Sequence, residues 1–342
     1  MIRKSFLGLG IFSLCATTSL YAQSMQVNIT QQQIPVLKNK GMNRLLALQC
    51  IPNETISLEG IKLAFDGTTK RSDIAKIYLV REGKENQVLA ESVVNKSSLY
   101  IPVTAQLSDT TQLALYCDLK PETSLLHFVD VQCKEIKTDK GVIRPADETI
   151  KGQRVAVAVQ DAGTENVAAF RIPGLATTKD GSLIAVYDAR RESSRDLQGH
   201  MDIGVSRSTD KGQTWEPMRV ALDMKTWGGL PEKFNGVSDA CVLTDPNTGT
   251  IWVAGLWMHG ILDKDGKWIE GLNEESKNWQ HQWVGRGSQP GLAPKETCQF
   301  LISRSDDDGK TWSEPMNITE QTKRPEWWLY APAPGQGIVM KD

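Results

Sequence analysis

The chain has 342 residues, 40% of them apolar and 23% charged, with a formal net charge of −2. The length fits two domains and the apolar share fits a buried core, while the charge balance excludes a disordered chain and a nucleic-acid binder, which carries a basic excess. All ten tryptophans fall between Trp215 and Trp328, so the two halves differ in chemistry and read as two domains with different work.

Residues 1–22 read as an export signal. Arg3 and Lys4 give a positive start, Phe6 to Leu20 is an apolar stretch too short to span a bilayer, and Tyr21-Ala22-Gln23 offers a small-residue cleavage point. Cleavage after Ala22 places the protein in the periplasm or outside the cell. Lipid attachment at Cys15 needs a small residue before it, and Leu14 stands there. No later apolar run has the length of a transmembrane helix. The remaining cysteines, Cys50, Cys117, Cys133, Cys241 and Cys298, are odd in number and show no C-x-x-C spacing. They support neither a disulfide framework nor a zinc site and read as small buried hydrophobes.

From residue 23 to about 150 short strand-like runs alternate with polar turns: RLLALQCI at 44–51, IKLAF at 61–65, IAKIYLV at 74–80, LYIPVTAQL at 99–107, QLALYCDL at 112–119 and LHFVDVQC at 126–133. Their recurrence predicts an antiparallel β-sandwich. Tyr78, Tyr100 and Tyr116 alternate with apolar residues and are expected to pack in its core.

Residues 151–342 continue as strands, now with a repeated turn. Ser208-Thr-Asp210-Lys-Gly212-Gln-Thr214-Trp215 and Ser305-Asp-Asp307-Asp-Gly309-Lys-Thr311-Trp312 share the pattern S-x-D-x-G-x-T-W, follow a Ser-Arg strand end and precede Glu-Pro-Met. Such repetition marks a repeated supersecondary unit. The Asp is expected to accept turn N–H groups, the Gly to supply φ > 0, and the Trp to pack beneath. A calcium loop is excluded: with Gly309 at loop position 6, the first and last ligand positions are Arg304 and Pro315.

Two runs, 170–178 and 183–190, flank Asp180-Gly181, a strong hairpin signal. A two-residue turn there places Arg171 opposite Arg190 on one face. Opposed like charges are destabilising, so the pair suggests a bound anion, a carboxylate above all, which the guanidinium fork fits. The structural alternative is that one arginine pairs with Asp188, Glu192 or Asp196. The loop that follows, to Asp202, is polar and contains glycine; Asp196 in it is a candidate general acid, and a solvated surface carboxylate is the competing reading.

Phe170-Arg171-Ile172-Pro173, an Asp 25 residues after that Arg, and two S-x-D-x-G-x-T-W turns together resemble the bacterial exo-α-sialidases (neuraminidases), retaining glycoside hydrolases. The similarity runs from about Val155 to Asp342, and the N-terminal sandwich resembles the carbohydrate-binding-like accessory domain of some sialidases. The resemblance implies an all-β chain: an N-terminal β-sandwich followed by the first part of a six-bladed β-propeller, the repeated turns being its "Asp boxes". It implies that Arg171 is one of three arginines gripping the sialic acid carboxylate, that Arg190 serves at the substrate rim, that Asp196 is the acid/base with Asp202 as a competitor, and that Asp239 borders the sugar. Trp257 or its neighbours are candidates for an N-acetyl pocket.

The chemistry implied is hydrolysis of sialylated glycans without metal or cofactor, through a Tyr nucleophile activated by a Glu, since a carboxylate nucleophile would be repelled by the substrate carboxylate. That Tyr, the Glu and two arginines have no assigned position in this chain. At roughly 40–60 residues per blade, the second part is expected to hold three to four blades, an N-terminal portion of the enzyme that is inactive alone. The other reading is a non-catalytic propeller lectin that binds sialic acid without hydrolysing it.

Overall fold

The computed structural model describes residues 24–340 apart from 147–151, 197–198, 263–266, 268, 278 and 282–288, so the segment 1–22 expected to act as an export signal lies outside the described residues. Contacts divide the chain into one unit up to Val155 and a second from Ala156.

The first unit contains β1 (Met25–Thr30), β2 (Val36–Leu37), β3 (Asn43–Pro52), β4 (Ile56–Ala64), β5 (Ile74–Arg81), β6 (Gln87–Ser92), β7 (Ser98–Leu107), β8 (Thr111–Leu119), β9 (Phe128–Val129), β10 (Gln132–Thr138), β11 (Gly141–Ile143) and β12 (Gln153–Ala156). A five-stranded sheet, β1-β3-β8-β5-β6, and a four-stranded sheet, β11-β10-β4-β7, form an antiparallel sandwich; β12 joins β2 and β9 in a small third sheet. Side-chain alternation builds the core: Ile101, Val103 and Leu107 of β7 point inward with Leu58, Ile61 and Leu63 of β4.

The three tyrosines expected in this core lie on the outer faces instead. Tyr78 Oη donates to Asp118 Oδ2 at 2.5 Å, and Tyr116 Oη to Glu82 Oε1 at 2.6 Å, where Arg44 Nε also donates at 2.7 Å. Tyr100 is exposed and its ring covers the backbone of Gly60, where a Cβ would stand 2.1 Å from Oη. Each tyrosine occupies the polar side of its strand because its hydroxyl has a partner there, whereas the core offers none. Cys50, Cys117, Cys133 and Cys298 are buried and Cys241 is half-buried, none of them in a disulfide.

The second unit contains two four-stranded antiparallel meanders of the kind that make propeller blades. The first is β13 (Ala169–Thr177), β14 (Leu183–Arg190), β15 (Met201–Ser208) and β16 (Arg219–Leu222); the second is β17 (Val237–Thr244), β18 (Ile251–Trp257), β21 (Gln299–Ser305) and β22 (Met316–Asn317). Between β18 and β21 lies a hairpin of β19 (Ile261–Leu262) and β20 (Gln280–His281), and after the short α1 (Thr319–Thr322) comes β23 (Gly335–Gln336), which adds in parallel to β17. Two blades are therefore present among the described residues, not three to four, because the connection from β18 to β21 takes up residues 258–298. Ile184, Val186, Ile203 and Val205 pack against Val242, Ile251, Val253 and Leu301 to join the two blades.

Both repeated turns have one bonding scheme. Ser208 Oγ donates to Asp210 Oδ1 at 2.8 Å and accepts from Gly212 N at 2.9 Å, while Thr214 N and Oγ1 donate to the two Asp210 oxygens at 2.9 and 2.6 Å. Ser305, Asp307, Gly309 and Thr311 repeat these bonds. Gly212 and Gly309 have φ of 81° and 83°, a region that favours glycine. The second turn also ties the blades together: Asp308 accepts from Arg207 Nη2 and, at 2.6 Å, from Ser182 Oγ of the first blade.

Hydrogen bonds from Thr214 pull the Asp210 carboxyl down to about 2; at Asp307 burial pushes upward, but bonds from Thr311, Ser305 and Lys310 outweigh it and leave the group at about 2. A carboxyl lowered on folding adds stability above its unfolded value of ~3.9, and that contribution disappears as pH falls through the folded value. Asp210→Ala and Asp307→Ala are each expected to lower the melting temperature at pH 7, with the gap to wild type closing between about pH 4 and 2. Calorimetry across that window checks this; a variant melting like wild type at pH 7 contradicts it.

Candidate active site

The turn between β13 and β14 has three residues, not two. Thr178 N bonds Ser182 O at 2.8 Å, Gly181 N bonds Thr178 O at 3.0 Å, and Gly181 has φ 86°, a type I turn closed by a left-handed glycine. Thr177 therefore pairs with Leu183, one residue off the register expected from Asp180-Gly181. A bulge between Arg171 and Gly174 shifts the register once more. Pro173 cannot donate to a ladder, and Ile172 has φ 56°, a left-handed conformation that costs a β-branched residue on the order of 1–3 kcal/mol. The result corrects the expected pairing: Arg171 lies opposite Asp188, and Arg190 lies opposite Ala169.

Arg171, Asp188 and Arg190 still share a face of the sheet, because cross-strand partners and residues two apart on a strand point the same way. Their states differ. Arg171 is exposed and has no ion-pair partner among the described residues. Arg190 is 2% exposed and engaged by protein groups: Nε and Nη2 donate to Asp188 Oδ2 at 3.3 and 2.9 Å, Nη2 to Asp196 Oδ1 at 2.7 Å, and Nη1 to Ser194 O at 2.9 Å. Two open arginines facing each other are thus replaced by one open arginine beside a buried ion pair.

The second blade contributes the same backbone device. A bulge between Ser238 and Cys241 contains Asp239 at φ 62°. Ser238, fully buried, donates to Asp188 Oδ2 at 2.7 Å. Asp239 is half-buried; its carboxyl is held above the ordinary range by burial and by the neighbouring Asp196 charge. Burial likewise pushes the fully buried Asp188 up to about 6, against the hydrogen bonds of Ser238 and Arg190. Asp196 is 58% exposed on its side chain. The structure so brings Asp196, Asp239, Asp188 and Arg190 together, with Arg171 across the sheet.

Asp202 stands apart. It is buried and accepts from Arg191 Nε and Nη2 at 3.0 and 2.7 Å, with His200 Nε2 at 3.4 Å. Trp257 is 1% exposed in the core between the blades and meets Trp227 edge-on at 4.7 Å. The two line a cavity of about 340 Å³ with Met224, Leu301, Asp223 and Asn317 among others, and it includes none of Arg171, Asp196 and Asp239. Tyr187, adjacent to Asp188, is buried beneath Phe170 and pushed up to about 12 by that burial, opposite to the need of a nucleophile. Ser238 is the site residue that sequence reasoning missed; its signal would have been the second bulge.

Residues 172–342 match the BNR repeat-like domain, and residues 24–112 match the N-terminal domain of BNR-repeat neuraminidase. A sialidase of Bacteroides fragilis is 32% identical over all of this chain and 66% of its own length, and one of Paraclostridium sordellii is 29% identical over 57% of this chain and 42% of its own. Among solved structures, the Hadza microbial sialidase Hz136 superposes with a TM-score of 0.78 at 33% identity, over 92% of this chain and 63% of its own. The chain therefore spans just under two thirds of the first and last of these proteins. By its domain matches over both units, the chain belongs to the BNR-repeat neuraminidase, or sialidase, family.

Proposed function

We propose that this chain is the N-terminal portion of an exo-α-sialidase that removes terminal α-linked sialic acids from glycoproteins, glycolipids and oligosaccharides with retention of configuration. The observation that carries this reading is an unengaged arginine, Arg171, on the same sheet face as a cluster that presents one exposed carboxyl, Asp196. Sialic acid bears its carboxylate on the anomeric carbon, so Arg171 grips the group that every substrate shares. Asp196 protonates the leaving oxygen. Asp239 and the one N–H of Arg190 not bonded to protein border the sugar. Retention follows from two inversions through a covalent intermediate, for which the nucleophile is a tyrosine outside the residues assigned here.

Turnover is placed in a protein longer than this chain. In support, the chain spans 66% and 63% of the length of two sialidases that it matches. The repeated turns are scaffold Asp boxes. Export rests on residues 1–22, with Gln23 as the first residue of the mature protein. The test is release of sialic acid from an α-sialyl oligosaccharide by the protein that contains this chain. Release supports the reading; binding of free sialic acid without release favours the lectin.

A further inference from the structure

We propose that Asp188 is a positioning residue: anchored to the second blade by Ser238, it seats Arg190, and Arg190 holds the loop that carries Asp196.

Every link is a contact between named atoms. Ser238 Oγ donates across the blades to Asp188 Oδ2 at 2.7 Å. The same oxygen receives Arg190 Nε and Nη2 at 3.3 and 2.9 Å. Beyond it, Arg190 grips the loop twice, through Ser194 O at 2.9 Å and Asp196 Oδ1 at 2.7 Å. The loop runs from Arg191 to His200 with no regular structure among its described residues, so little in its own backbone fixes Asp196. The inner end of the chain is rigid, since Asp188 and Ser238 are fully buried in packed strands.

A buried carboxylate is costly unless paired, and a structural ion pair normally satisfies both oxygens. Asp188 Oδ1 instead is buried with no hydrogen-bond partner. The charged groups around Asp188 are Arg190 on its own strand, Arg171 opposite on β13, Asp239 on β17 and Asp196 in the loop. With a carboxyl lying at about 6, acidification neutralises Asp188 and weakens its hold on Arg190. The loop is then expected to loosen as pH falls from 7 to 5.

The inference deepens the proposed function, because placing Asp196 matters only if Asp196 is the acid. Its test needs no substrate and fails separately from that reading. Hydrogen exchange of the 342-residue chain is followed by mass spectrometry for peptides spanning β14 to β15, in wild type, Asp188→Asn and Ser238→Ala. The expected result is exchange in the loop at least 10-fold faster in Asp188→Asn and intermediate in Ser238→Ala, with β13 and β15 unchanged. After correction for intrinsic rates, wild-type loop exchange should rise between pH 7 and 5, while that of Asp188→Asn stays flat. Should Asp188→Asn not fold, Ser238→Ala and the wild-type pH series decide. Unchanged loop exchange, or acceleration spread evenly over the blade, overturns the proposal.

Discussion

Asp196→Ala, introduced into the protein that contains this chain, is expected to slow release of sialic acid from a glycan by about 10²–10⁴-fold while leaving aryl sialosides nearly untouched. A sugar alcohol cannot leave without a proton, which Asp196 is proposed to supply; an activated phenol leaves unaided. Arg171→Ala is expected to give the contrasting pattern, a large loss on both substrate classes, because both share the carboxylate that Arg171 is proposed to grip. Steady-state kinetics on one substrate of each class separate the two roles. Equal losses on both classes for Asp196→Ala remove it as the acid, and normal kinetics for Arg171→Ala remove the grip.

Arg190→Ala is expected to destabilise the second unit by about 3–5 kcal/mol at pH 7.5, the usual cost of leaving one member of a buried pair uncompensated. Arg190 is 2% exposed and Asp188 0%, so solvent screens the pair little. The pH dependence has a definite sign. The Asp188 carboxyl is already raised to about 6 from an unfolded value of ~3.9, and losing the guanidinium raises it further. A carboxyl raised on folding takes its proton first in the folded state, so stability is recovered as pH falls through the folded value. The deficit of Arg190→Ala is therefore larger at pH 7.5 than at pH 5. Denaturant melts at the two values check this, and a deficit that is the same at both contradicts the burial of an ionised Asp188.

Much of the architecture was legible in the sequence because it is locally encoded. Alternation along residues 99–107 marks a strand, and Ser, Asp, Gly and Thr at fixed offsets build the same turn twice. The Phe170-Arg171-Ile172-Pro173 motif and Asp196 are assigned to the site by resemblance alone; in the fold Arg171 pairs with Asp188 and Asp196 bonds Arg190. What failed was register. Nothing in a turn dipeptide shows that Thr178 and Ser182 close a longer loop, or that Ile172 accepts a left-handed conformation so that the strand can bulge. The tyrosines were misplaced for a related reason: a period of two identifies two faces without naming the wet one, and the partners Asp118 and Glu82 lie 40 and 34 residues away. The bond from Ser238 to Asp188 joins two blades and has no local trace.

Arg171 and Asp196 are proposed to act in a retaining exo-sialidase. Time-resolved proton NMR of an α-sialyl-lactose treated with the protein that contains this chain tests it most directly, with Arg171→Ala as the control. The first sugar released is expected to be the α-anomer of the sialic acid, mutarotating only later, with release suppressed in Arg171→Ala. Appearance of the β-anomer first, or release unaffected by Arg171→Ala, would contradict it.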